Sequence, residues 1–333
     1  MGAEGDAVGD LQQRLARLGH PVPPEESGRF RRATSDAVQA FQAARGLRAD
    51  GICGEQTWSV LVEAGYRLGD RLLYLRQPML RGDDVATLQL SLGALGFDAG
   101  RIDGIFGPHT KAAVEDFQRN AALTIDSVCG ADTRRALERF GARVAARQPV
   151  AEVRELERLR SSPRTLRLRR VVIGDAGGMH AAAAATRQVL LGAGATVTVL
   201  GHPDQSEQAA EANAGQAEVY LGLALDPSES GCWAAYYAGQ RFESPAGRRL
   251  AELVHSTVTT ALELGGGGVR GMALPVLRET RMAAVVCELG PPPLVVARTA
   301  ELAQALADAL ASWALAPLPG LDLDQANDSR RRT

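Results

Sequence analysis

The sequence predicts a multidomain chain: two small all-α three-helix domains, then an α/β domain with a mostly parallel sheet. Three observations carry that reading. The first half repeats itself at a nearly constant offset, the stretch 142–168 turns abruptly charged, and from Arg170 strand-like and helix-like segments alternate.

The repeat comes first. Val8, Leu11, Gln12, Leu15, Leu18 and Gly19 return 77 residues later as Val85, Leu88, Gln89, Leu92, Leu95 and Gly96. After a one-residue length change, Thr34, Ala37, Val38, Phe41 and Gln42 match Thr110, Ala113, Val114, Phe117 and Gln118. Leu47, Asp50, Cys53, Gly54 and Thr57 match Leu123, Asp126, Cys129, Gly130 and Thr133. Within one unit, Val8, Leu11, Leu15 and Leu18 recur at three- and four-residue steps, an apolar stripe on one helix face. Gly19 stands where a helix end takes a left-handed residue. A second helix carries Ala37, Val38 and Phe41 inward, Asp50-Gly51 makes a turn, and Thr57, Trp58 and Leu61 start a third helix. The units are placed at 6–66 and 78–141. Cys53 and Cys129 share one apolar slot and read as core filler.

Residues 142–168 form a charged linker. Its part from Val150 to Arg160 is a helical piece with Glu155–Arg158 and Glu157–Arg160 at ion-pair spacing. In the α/β domain, 169–315, strands are expected at Val171–Ile173, Thr196–Leu200, Val219–Leu225 and Ala283–Glu288. Helices are expected at Ala181–Leu191, Ser206–Ala214, Pro245–Leu264 (stopping at the Gly265–Gly268 run) and Arg298–Trp313. Residues 316–333 read as a flexible tail.

Composition narrows the function classes. Of 333 residues, 45% are hydrophobic and 23% charged, and the net charge is -2, so no global attraction to nucleic acid or membrane is expected. No apolar run is long enough to span a bilayer. The opening MGAEGDAVGDLQQRLARLG has neither the basic nor the apolar region of a signal peptide. Four scattered cysteines form no CxxC pair, which fits a reduced, cytoplasmic protein. Five histidines cap any transition-metal site. Lys111 is the sole lysine, and arginine, alanine and glycine are in excess, as in a GC-rich, actinobacterial genome.

The pattern V-x-x-L-Q-x-x-L-x-x-L-G, then D-G-x-F-G-x-x-T-x-x-A-V-x-x-F-Q, then L-x-x-D-x-x-C-G-x-x-T resembles the bacterial peptidoglycan-binding domain, over roughly residues 6–140. The second copy holds the fuller form, and the resemblance offers Asp103, Gly104, Phe106, Gly107, Thr110, Phe117 and Gln118 as its binding residues. The first copy departs at Ser27-Gly28-Arg29-Phe30.

Over roughly residues 168–315 the chain also resembles the zinc-dependent N-acetylmuramoyl-L-alanine amidases of the α/β type. In that family a first strand ends in D-P-G-H-G, whose His binds zinc. A zinc-binding Glu opens the first helix, S-x-H-x-N supplies a second His, and E-x-G-F ends the last core strand with the catalytic base. Here Val276–Arg281, followed by Ala284–Gly290, is the best match, and Glu211-Ala212-Asn213 also fits. The resemblance makes Glu288 the base position and Arg278 a binding residue. Gly178 and Ala224 stand where the zinc histidines would be, and nothing acidic lies between Asp175 and Asp204. Asp175 and Asp226 end neighbouring strands and read as turn formers. Zinc needs about three protein ligands and an open position; glycine and alanine offer no lone pair.

Two such modules ahead of an amidase-type domain without zinc ligands resemble one actinobacterial group. These are the cytoplasmic amidase-like proteins that regulate the UDP-N-acetylglucosamine enolpyruvyl transferase of peptidoglycan precursor synthesis. The resemblance implies a non-catalytic regulator or scaffold with no cofactor. Its partners would be a peptidoglycan or muropeptide-type ligand and that transferase or other cell-wall synthesis proteins. In that group a threonine of the C-terminal tail is phosphorylated; here the tail's threonine is Thr333. The competing reading is a zinc amidase cleaving the lactyl–L-alanine amide with a rearranged site of His180, His202 and Glu288.

Overall fold

The apolar stripes of the repeat become two helical cores in the computed structural model, which describes residues 2–141, 150–227 and 230–318. In the first, α1 (Asp6–Arg17) buries Val8, Leu11 and Leu15, and Gly19 follows at φ +90°. α2 (Arg32–Ala44) adds Val38 and Phe41, and α3 (Glu55–Ala64) adds Leu61. In the second, α4 (Asp83–Ala94), α5 (Pro108–Asn120) and α6 (Ala131–Gly141) enclose Val85, Leu88, Leu92, Phe106, Val114, Phe117 and Leu137. The second core reaches back beyond residue 78, where the sequence pattern begins. Leu73 is fully buried in it and forms an antiparallel bridge with Cys129, and Leu68 packs against it. Each repeat also has a short antiparallel bridge, Glu4 to Arg29 and Arg81 to Ile105, at the same place in the fold.

The chain divides into two compact units inside α7 (Val150–Ser161). That helix is the piece expected from the charge pattern; Arg160 lies 3.6 Å from Glu157. Its Leu159 is buried in the core of the second unit, so the helix is not solvated on every face.

The second unit runs β1 (Arg170–Asp175), α8 (His180–Gly192), β2 (Thr196–Gly201), α9 (Gln205–Ala214), β3 (Val219–Leu225), β4 (Gly231–Tyr237), α10 (Pro245–Leu262), β5 (Gly267–Met272), α11 (Pro275–Glu279), β6 (Ala283–Gly290), α12 (Pro292–Ala297) and α13 (Thr299–Leu315). The six described strands form one sheet in the order β2-β1-β3-β6-β4-β5. β1, β2, β3 and β6 are mutually parallel; β4 runs antiparallel to β6, and β5 runs parallel to β4.

The sheet is mostly parallel, as the alternating pattern predicts, but β4 and β5 escape sequence reading. β4 lies between two strands and is buried along nearly its whole length, so no polar–apolar alternation marks it. β5 is a glycine-rich edge strand: the run expected to end a helix launches it at Gly267. One sheet face, with Val171, Ile173, Leu221, Leu223, Val285 and Cys287, shares a core with Leu250 and Val254 of α10 and Leu306, Leu310 and Trp313 of α13. The other face is closed by α9 and α11; there Tyr220 of β3 donates to Gln208 Oε1 of α9.

Candidate functional site

The carboxyl ends of the parallel strands are where α/β sheets place their ligands. β1 ends at the buried Asp175, whose Oδ1 accepts from the Gly177 N–H at 2.8 Å and the Met179 N–H at 3.2 Å. Asp175 is therefore a turn former, and it steers the chain into α8. In that turn Gly178 adopts φ +86°, and a Cβ placed on it would lie 3.0 Å from Leu225 Cδ1 at the end of β3. Ala224 is the register partner of Glu288 in the β3–β6 ladder. The structure thus gathers Gly178, Ala224 and Glu288 along one sheet edge.

Glu288 is 9% exposed. Across β4 its register partner is Trp233, and the guanidinium of Arg270 covers the Trp233 ring at 3.1 Å from the centroid. Leu225, Trp233 and Arg270 were not found from sequence. Their place at the edge follows from register in a ladder that includes the two unmarked strands.

These residues do not fit the zinc ion of the amidase frame. The two positions that the resemblance assigns to zinc histidines, Gly178 and Ala224, carry no donor atom, and a side chain at 178 would press on Leu225 Cδ1. The rearranged set is not assembled either: among the described residues no group of three or more His, Cys, Asp or Glu could hold a metal ion. His180 opens α8 on the surface. His202 is occupied at the start of α9, with Nδ1 accepting the Asp204 N–H at 3.0 Å and Nε2 lying 2.8 Å from Glu207 Oε2.

Arg278 sits half-buried on α11. Beside it, Asn213 Nδ2 donates to the Glu279 carbonyl at 2.8 Å, and Asn213 Oδ1 accepts from the Arg281 N–H at 2.9 Å. That pair ties α9 to the loop entering β6 and explains Asn213 as a structural residue.

The residues offered for ligand binding in the second repeat mostly hold the fold. Gln89 Nε2 donates to Asp103 Oδ1 (2.9 Å), the Ile105 carbonyl (3.1 Å) and Thr110 Oγ1 (3.2 Å), while its Oε1 accepts from the Asp103 and Gly104 N–H groups. Gln118 repeats the device on Asp126, Val128 and Thr133. Phe106, Thr110, Phe117 and Gln118 are all at most 2% exposed, so their side chains are closed to a ligand. Gly104 is buried in the turn, and Gly107 precedes α5 as its N-cap. Cys129 is buried, and desolvation pushes its thiol up to about 12; the half-buried Cys53 thiol is also raised by burial. Both match the filler role.

Residues 4–61 and 81–137 match the peptidoglycan binding domain family. The chain is 35% identical over 330 residues to the N-acetylmuramoyl-L-alanine amidase CwlM of Mycobacterium tuberculosis, covering 87% of this chain and 80% of that protein. The chain belongs to the CwlM family. This member joins two peptidoglycan-binding domains to an N-acetylmuramoyl-L-alanine amidase-type domain. It is also 33% identical over 158 residues to the N-acetylmuramoyl-L-alanine amidase CwlL of Bacillus licheniformis, spanning 44% of that protein. Among solved structures, the catalytic domain of CwlV, an N-acetylmuramoyl-L-alanine amidase from Bacillus (Paenibacillus) polymyxa, aligns with 43% of this chain and 97% of its own. That alignment has a TM-score of 0.37 and 20% identity.

Proposed function

We propose that this CwlM-family protein is a non-catalytic, amidase-like component of peptidoglycan biosynthesis. It acts in the cytoplasm as a regulator or scaffold that binds a peptidoglycan-type ligand and enzymes of precursor synthesis, the UDP-N-acetylglucosamine enolpyruvyl transferase among them. The observation that carries this reading is the absence of a donor atom at Gly178 and Ala224, the positions the resemblance assigns to the zinc histidines. At Gly178 the positive φ and the close approach of Leu225 add to the obstacle, since a Cβ there would lie 3.0 Å from Leu225 Cδ1. Glu288 keeps the place of a general base, but a base acts on a proton held within reach. In the amidase frame that proton belongs to a zinc-bound water, and the ligands for the zinc are missing here. A carboxylate on its own contributes far less than the rate an amide hydrolysis requires.

Metal analysis of the purified protein, joined to an assay for cleavage of the lactyl–L-alanine amide in muropeptides, tests the claim. The expected result is substoichiometric zinc, no cleavage, and recovery of precursor-synthesis enzymes in a cytosolic pull-down. Stoichiometric zinc with cleavage, abolished by Glu288→Gln, would establish the amidase reading instead.

A further inference from the structure

Two thiols meet in the core of the sheet unit. Cys232 on β4 and Cys287 on β6 are both 0% exposed, and their Sγ atoms lie 3.6 Å apart. Cys232 faces Leu289 and Cys287 faces Ala234 across the antiparallel ladder. The cysteines are therefore diagonal neighbours on the same side of the sheet. A disulfide holds its sulfurs about 2.05 Å apart, so bond formation asks the pair to close by roughly 1.5 Å. Both are free thiols here, and neither has a part in the proposed function.

We propose that Cys232 and Cys287 are a redox couple: a reversible disulfide that latches β4 to β6 when a small disulfide oxidant is present. The step is ordinary thiol–disulfide exchange. One cysteine, as thiolate, attacks a sulfur of oxidised glutathione; a mixed disulfide forms and one glutathione leaves as thiolate. The second cysteine attacks the protein sulfur of that mixed disulfide and expels the second glutathione. Two protein thiols give up two electrons and two protons, and the oxidant takes them up as two glutathione thiols.

Position gives the couple its character. The hydrogen bond with Cys232, together with burial, holds the Cys287 thiol well above the ordinary cysteine range. Reaction therefore waits for a local opening of the β4–β6 ladder. The residues that follow, Trp233 and Glu288, are register partners on the opposite side of the sheet from the sulfurs. Drawing Cys232 toward Cys287 shears β4 against β6 and moves Trp233 against Glu288, so the oxidation state is felt at the sheet edge.

The test uses the full-length protein, incubated with diamide and, separately, with oxidised glutathione. It is then acid-quenched, unfolded, alkylated with N-ethylmaleimide and digested without reduction for mass spectrometry. The expected result is a fall from four alkylated cysteines to two, a Cys232–Cys287 linked peptide, and return to four with dithiothreitol. The linked peptide is absent from Cys232→Ala. Four alkylated cysteines after exhaustive oxidation of the folded protein would overturn the proposal, as would losses confined to Cys53, Cys129 or intermolecular bonds.

Discussion

At the scale of single residues, Gly178 and Gln118 show how side chains decide what the fold can hold. A side chain at 178 faces both a left-handed backbone, φ +86°, and Leu225 at 3.0 Å. Gly178→His is expected to cost about 1–2 kcal/mol and to bind no additional zinc. Urea unfolding and metal analysis of the variant check the two halves of that statement. Gln118→Leu removes an amide that donates to three groups and accepts from two backbone N–H groups. It is expected to cost about 2–4 kcal/mol because partners are left unpaired, seen as a lower urea midpoint for the second repeat. Sequence alone shows the donor-free positions Gly178 and Ala224, because a motif fixes where to look. It is silent on Leu225, whose role arises only once β1 and β3 lie side by side.

At the scale of elements, the second repeat depends on chain that precedes its helices. Leu73→Ala empties a fully buried site in its core and is expected to cost about 2–5 kcal/mol; hydrogen exchange in α4, α5 and α6 locates the loss. Two carboxylates of this repeat lie below their usual pKa. The Val128 N–H and then Gln118 hold Asp126 down, and the Ser127 hydroxyl and then Lys111 hold Glu115 down. A lowered folded pKa means that the unfolded chain binds more protons in the interval between the two values. Their contribution is therefore whole above about pH 4.5, the ordinary value for Glu115, and falls away as acidification passes through the lowered values. A urea midpoint that stayed flat below pH 4.5 would contradict this. The repeat helices and the long helices α8, α9, α10 and α13 are legible in the sequence from their apolar periodicity, but α11 and α12, five and six residues long, are too short to show one. β4 and β5 are not legible either, since a strand buried on both faces and a glycine-rich edge lack the alternation that marks a half-buried strand.

At the scale of the molecule, the two repeats are fastened within one compact unit. Arg45 at the end of α2 reaches both carboxylate oxygens of Asp83 at 2.9 Å, at the start of α4. Between the repeats, Arg71 binds the buried Asp84 at 2.7 Å and lies over the Tyr66 ring. Arg45→Ala is expected to leave each repeat folded but uncouple them, turning a shared calorimetric transition into two. A single transition in the variant would place the coupling elsewhere. No described helix is long and apolar enough to cross a membrane. Thr333, the threonine of the tail, lies outside the described residues.

The glutamine fastenings bear on how such chains diverge. Gln42, Gln89 and Gln118 each donate to an aspartate in the turn they hold: Asp50, Asp103 and Asp126. Gln12 has Ser27 where the second copy has Asp103, and it donates to the Glu26 carbonyl while keeping Thr34 at 2.9 Å. The turn survives the exchange because a backbone acceptor takes over. Recognition of the repeat from sequence therefore follows its internal joinery, and the outer surface of the first copy is free to drift under a signature that stays readable.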